Sequence, residues 1–114
     1  MNLEIEVSEG QVETIVKLSG EIDAYTATKL KETLLTLTNQ LDKLVIVDLE
    51  HVNYMDSTGL GVFVSALKAS KENDSHLKLI QIQKRVFRLF KITGLDEIID
   101  VHAIVRGENK NGII

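Results

Sequence analysis

KLVIVDLEHVNYMDSTGLGVFVSALK, residues 43–68, is the stretch that decides the fold. Residues 43–49 are a short, almost continuous apolar run rich in β-branched side chains. Such a run predicts a central strand buried on both faces, as βαβ crossovers require. Residues 50–56 read as a connecting loop. From Ser57 to about Lys71 the period becomes helical, with Leu60, Phe63, Val64 and Leu67 on one stripe. A buried strand feeding an amphipathic helix is the first half of a βαβ unit, so the fold class is α/β.

Working toward the N-terminus, Leu3, Ile5 and Val7 alternate with Glu4 and Glu6, the mark of a strand with one wet face. Ser8-Glu9-Gly10-Gln11 supplies a turn, and Val12, Thr14, Val16 and Leu18 continue as a second strand that Gly20 ends. Ile15 is apolar on the second face, which predicts that this face is partly covered. From Thr26 a helix places Ala27, Leu30, Leu34, Leu37 and Leu41 inward, with Thr26 or Asp23 able to cap it.

Toward the C-terminus, residues 77–82 read as another buried strand. Residues 84–92 form a third helix with Val86, Leu89 and Phe90 inward. Thr93-Gly94 stops it, since glycine takes the left-handed position after a helix without a Cβ penalty. Residues 96–101 are a last strand, or a short helix leading into one. The order β-β-α-β-α-β-α-β predicts a mostly parallel sheet after an opening hairpin. Neither a repeat nor a linker interrupts the chain, so residues 1–114 read as one domain, with a core at about 3–101 and a frayed end at about 106–114.

Composition removes several functions. With 114 residues, 44% hydrophobic and 26% charged, the chain is long enough for an unstapled core. It has no cysteine, which excludes thiolate metal sites and cysteine nucleophiles. His51, His76 and His102 lack ligand spacing, so no metal or other cofactor is expected. Thirteen Lys and Arg against seventeen Asp and Glu give a net charge of −4, which argues against nucleic acid as the partner. MNLEIEV shows no secretory pattern and no apolar run suits a membrane, so a cytoplasmic protein is expected.

The chemistry concentrates at Tyr54-Met55-Asp56-Ser57-Thr58-Gly59-Leu60-Gly61. Ser57 stands where loop becomes helix, and its plain reading is an N-cap. Two features point further. Ser57, Thr58, Gly61 and Ser65 leave the helix's outer side nearly free of side chains. Gly59 and Gly61 each lower helix propensity by up to about 1 kcal/mol relative to alanine. That pattern allows another molecule to approach the backbone, although Gly59 also suits close packing of helix on sheet. A helix start also tolerates an anion, by about 0.3–1 kcal/mol when exposed. A phosphoryl group on Ser57 would bring roughly −1.5 to −2 charges beside Asp56. The surface would change from small and near-neutral to bulky and anionic.

Gly20-Glu21-Ile22-Asp23, the segment from Tyr54 to Val62, and Arg88-Leu89-Phe90 through Ile92-Thr93-Gly94-Leu95 resemble the STAS-domain anti-sigma factor antagonists. The likeness is greatest to the general-stress (RsbV-like) type, with the sporulation type next, and it covers about residues 3–101. It implies a mixed sheet with helices mainly on one side. It also implies a partner-switching cycle. The unphosphorylated antagonist binds an anti-sigma factor serine kinase and frees the sigma factor. The kinase then phosphorylates Ser57, which ends binding, and a PPM-type serine phosphatase resets the protein. Departures from the family pattern fall on the first helix's surface and the C-terminal end, which bear on partner identity.

Around Ser57, the expected partner surface comprises Asp23, Asp56, Thr58, Gly59, Gly61, Val62 and Ser65. Each has a structural alternative. Asp23 either lines that surface or caps the first helix; Asp56 either orients the hydroxyl or holds the turn. Thr58 is a second acceptor or a first-turn residue. Val62 is a contact if exposed and sheet packing otherwise. Lys84, Arg85, Arg88 and Lys91 make a basic face on the third helix, read either as solvated or as attracting an acidic partner. Three rival functions remain. A serine enzyme lacks a G-x-S-x-G elbow and an oriented base. A nucleotide-binding protein lacks the P-loop lysine. A regulatory or scaffold STAS module would ordinarily accompany a membrane or sensor region, which this chain does not show. The oligomeric state, the sigma factor and the upstream signal are open.

Overall fold

Consecutive crossovers of one hand set the architecture. In a computed structural model, which describes residues 2–105, strands β1 (Leu3–Glu9) and β2 (Glu13–Ile22) lead into helix α1 (Ala27–Thr38). Then follow β3 (Leu44–Met55), α2 (Ser57–Glu72), β4 (His76–Ile82) and α3 (Lys84–Thr93), and, after a 3-10 turn (Leu95–Glu97), β5 (Asp100–Ala103). The sheet order is β1-β2-β3-β4-β5. β1 and β2 are antiparallel, and the later pairs are parallel. Parallel crossovers are right-handed, and here each steps in the same direction, so the helices gather on one face.

Burial follows that asymmetry. Val16 and Leu18 of β2, Val45, Val47 and Leu49 of β3, and Leu77 and Leu79 of β4 are buried beneath the helices. Phe63 of α2 and Phe90 of α3 meet there as tilted rings 6.3 Å apart. The opposite face is only half-buried. β3 is therefore covered fully on one side, not on both as its apolar run predicts. Ile15 and Ile46, facing partners in the β2–β3 register, shield one another. Among the described residues no second layer covers them.

Both ends of the hairpin differ from expectation. β1 runs on to Glu9, opposite Thr14, and the turn lies at 10–12 with the Gly10 N–H donating to the Glu13 carbonyl at 2.8 Å. Val12 thus sits in the turn, exposed. Gly20 does not end β2. It lies inside the strand at a register irregularity with φ +127°, where a Cβ would collide with the Asn2 carbonyl. Residues 50–55 are not loop either. They extend β3, pairing His51 with Ser19, Val52 with Gly20, Tyr54 with Glu21 and Met55 with Ile22. Gly20→Ala should lower unfolding stability by about 1–3 kcal/mol in a denaturant titration, as a residue held in a glycine-only conformation does.

The helices are shifted in detail. α1 stops at Thr38, whose hydroxyl donates to the Leu34 carbonyl at 2.8 Å, and Leu41 lies beyond it, 67% exposed. α2 packs on α1 as well as on β3 and β4, so its buried side is wider and rotated relative to the predicted stripe. Val62, Phe63, Ala66, Ala69 and Ser70 are buried while Val64 and Leu67 are half-buried. Gly94 ends α3 in the left-handed conformation at φ +79°, as its position predicts. The last segment resolves into the short helix leading into a strand. The predicted frayed end at 106–114 lies outside the described residues. Among the described residues no helix is long and apolar enough to cross a membrane.

Candidate functional site

The site lies at the C-terminal ends of β2 and β3, which stop level with one another. Ile22 pairs with Met55, and the Asp56 N–H donates to the Ile22 carbonyl at 3.3 Å. The chain then diverges into two turns. From β2 it enters Asp23–Thr26 and α1; from β3 it enters Asp56 and α2.

Asp56, not Ser57, is the N-cap of α2. Its backbone is extended, and its Oδ1 accepts from the Gly59 N–H at 3.2 Å. Because the aspartate takes the cap, Ser57 becomes the first helical residue, exposed, and its hydroxyl has no hydrogen bond among the described residues. It stands in the positive end of the helix dipole and is open to solvent. Thr58 and Gly61 are likewise exposed, and Ser65 is half-buried.

The two glycines separate cleanly. A Cβ at Gly59 would stand 2.7 Å from Met55 Cγ and 2.8 Å from Ile22 Cγ2, so this glycine lets α2 sit on the strand ends. At Gly61 nothing lies within 4 Å of the Cβ position. No contact within the described residues requires a glycine there. Gly61 instead forms part of a groove of about 420 Å³ between Ala27, Thr28 and Lys31 of α1 and Thr58 and Ser65 of α2. Val62 touches that groove but is only 4% exposed, so packing is its main role.

Asp23 is buried and committed to its own turn. Its Oδ1 accepts from the N–H groups of Tyr25 at 2.9 Å and Thr26 at 3.1 Å. Its N–H donates to Thr26 Oγ1 at 3.0 Å, and that hydroxyl donates to the Glu21 carbonyl at 2.9 Å. Asp23 therefore builds the entry to α1, while Thr26 makes no side-chain bond to the helix it precedes. This turn thrusts Tyr25 into solvent at 87% exposure, opposite half-exposed Tyr54 across a hollow bounded by Glu21 and Asp56. Tyr25, lining this hollow, and Lys31, lining the α1–α2 groove, are neighbours of Ser57's helix start that sequence periodicity misses. The only local sign of the first is an aromatic within a strand-to-helix turn.

Two of the three histidines lie elsewhere, while His51 is in the outer half of β3. His76 and His102 direct Nε2 at the two carboxylate oxygens of Asp100, at 2.9 and 2.7 Å. His76 and Asp100 begin β4 and β5, at the opposite end of the sheet from Ser57. Their scattered sequence positions conceal this cluster, and among the described residues no group is arranged to hold a metal ion. The hydrogen bond from His76, then that from His102 and the charges of both rings, hold the Asp100 carboxyl below its ordinary 3.8 against the opposing effect of burial. A depressed carboxylate stabilises the fold above its ordinary value and loses that contribution as pH falls through the folded value. Asp100→Asn should therefore lower the unfolding temperature at neutral pH, with the difference from wild type closing below pH 3.8.

The STAS domain family model matches residues 2–107. Over 112 residues the chain is 45% identical to the anti-sigma-B factor antagonist of Listeria monocytogenes, covering 97% of this chain and 98% of that one. A crystal structure of an anti-sigma factor antagonist from Mycobacterium paratuberculosis shares the fold with a TM-score of 0.78 at 21% identity, over 89% of this chain and 86% of that one. The Bacillus cell fate determinant SpoIIAA in its phosphorylated form gives a TM-score of 0.70 at 16% identity, over 97% and 100% of the two chains. With a mixed five-stranded sheet, helices gathered on one face and near-half identity to a named antagonist along its length, the chain belongs to the STAS domain family, among the anti-sigma factor antagonists.

Proposed function

We propose that this chain is a cytoplasmic anti-sigma factor antagonist switched by phosphorylation at Ser57. The unphosphorylated form binds an anti-sigma factor serine kinase and releases the sigma factor. Phosphorylation by that kinase ends the association, and a PPM-type phosphatase restores it. The protein acts by binding rather than by catalysis. The observation that carries the reading is the pairing of an exposed Ser57 hydroxyl, unbonded among the described residues, with Gly61 one turn along, where no described residue lies within 4 Å of the Cβ position. Residues four apart lie on one face of a helix, so a partner reaching the hydroxyl also rests on the bare backbone at Gly61.

The groove beside these residues supports the same direction. Its α2 wall is made of Thr58, Gly61 and Ser65, small enough for a protein surface to approach closely. Asp56 serves the switch indirectly, by fixing the helix start while leaving the serine unbonded. Incubation with the cognate kinase and ATP should add one phosphoryl group, detected by intact mass, and Ser57→Ala should add none. Label persisting in Ser57→Ala would move the acceptor elsewhere and overturn the assignment.

A further inference from the structure

Ser57 has a second flank. On the side away from the α1–α2 groove, Asn53, Tyr54 and Met55 form one wall of an apolar cleft of about 210 Å³, and Arg85, Val86 and Leu89 of α3 form the other. The first wall leads directly into Asp56 and Ser57, so the cleft opens within a few residues of the acceptor. Beyond Leu89 the same face of α3 carries Ile92, at 74% exposure one of the most exposed large apolar side chains described. Arg88 and Lys91 border it, also exposed. Arg85, Arg88 and Lys91 make no ion pair among the described residues.

The charge distribution says what fits. α3 holds four basic residues and no acidic one, within a chain whose net charge is −4. A local positive field around an apolar cleft complements an acidic protein surface with an apolar projection. Val86 and Phe90 of α3 are turned into the core, and the outward apolar surface is limited to Leu89 and Ile92, too small a face to lay on lipid.

On the proposed cycle, two enzymes must reach one serine and respond oppositely to its phosphate. The enzyme that removes the phosphate must bind the form the kinase rejects, and so needs contacts that the added group does not disturb. The four basic residues of α3 beside an apolar cleft ask that those contacts come from an acidic face of that enzyme with an apolar projection. We infer that the cleft between β3 and α3, with Arg85, Arg88 and Ile92, is the docking surface for the phosphatase, engaged through an acidic face of that enzyme. The α1–α2 groove remains for the kinase. The inference rests on the phosphorylation cycle proposed above.

The test uses full-length protein carrying phosphoserine at position 57, introduced during synthesis so that no kinase is needed, and the PPM-type phosphatase from the same cell. Arg85→Glu/Arg88→Glu should lower kcat/KM for phosphate release by about tenfold or more, chiefly through KM, as charge reversal at a steering surface does. The deficit should vanish at about 1 M salt, where the screening length falls to about 3 Å. Ile92→Ser should lower kcat/KM at every salt concentration. Phosphorylation of the same variants by the kinase should be unchanged, and equal unfolding temperatures establish that they fold. Unchanged dephosphorylation of the variants, or an equal loss in the kinase reaction, overturns the inference. Failure of the phosphatase to act on the wild-type phosphoprotein would instead sink the cycle itself, and the inference with it.

Discussion

Gly61→Gln should fold at least as well as the wild type and yet lose most of its affinity for the kinase. The two halves of this expectation come from one observation. Among the described residues nothing lies within 4 Å of the position a Cβ would take, so a side chain can leave the backbone there without a clash. Replacing a helical glycine with glutamine removes a propensity penalty, and the thermal transition should rise by the equivalent of up to about 1 kcal/mol. The same side chain projects into the face that carries Ser57. Forcing extra atoms into a fitted contact costs about 1–3 kcal/mol, which weakens binding by about 5–150-fold. Gly59→Ala supplies the contrast. Its Cβ would press on Met55 Cγ at 2.7 Å and Ile22 Cγ2 at 2.8 Å, so that variant should lose stability. Stability by calorimetry and kinase affinity by titration separate the two glycines.

Ser57→Glu should produce a still larger loss of affinity with no loss of fold. Glutamate at the first position of a helix sits in the positive end of the macrodipole and stabilises it by about 0.3–1 kcal/mol. The exposed hydroxyl it replaces makes no hydrogen bond among the described residues, so none is broken. The fold therefore gives no reason for binding to fail. The partner does, because an anion beside Asp56 confronts whatever surface had accepted a small neutral hydroxyl. Misplaced charge at an interface costs several kcal/mol, which corresponds to about a 100-fold loss or more. Ser57→Gln, equal in size and uncharged, should retain more affinity than Ser57→Glu, and that difference isolates charge from bulk.

Much of this was legible before any coordinates, and the misses share causes. The period change at Ser57 and the buried run at 43–49 are local signals, and both elements are present. The ends of β2 and β3 were not local. Gly20 through Ile22 and His51 through Met55 form strand only because they pair with one another across a parallel register with irregularities. Neither segment's own alternation encodes that. The same extension carries the site outward, since it brings Ile22 and Met55 level and sets Asp23 and Asp56 in neighbouring turns.

The helix start shows a different ambiguity. Asp56 and Ser57 are both good caps, and sequence cannot rank them when adjacent. The extended backbone at Asp56 and its bond to the Gly59 N–H decide it, and the outcome frees the serine. Asp23 reads in the sequence equally as surface or cap; its bonds to Tyr25 and Thr26 hold the turn before α1, and it also lines the hollow between Tyr25 and Tyr54. His76, Asp100 and His102 lie too far apart in sequence for spacing to reveal that they meet.

The measurement closest to the central claim compares one kinase against two forms of this chain, unmodified and carrying phosphoserine at position 57. Dissociation constants are taken by titration calorimetry alongside each form's unfolding temperature. The account predicts that phosphorylation weakens binding by about 100-fold or more while the unfolding temperature stays essentially unchanged. Equal affinity for both forms, or a loss of affinity accompanied by a collapse of the thermal transition, would contradict it.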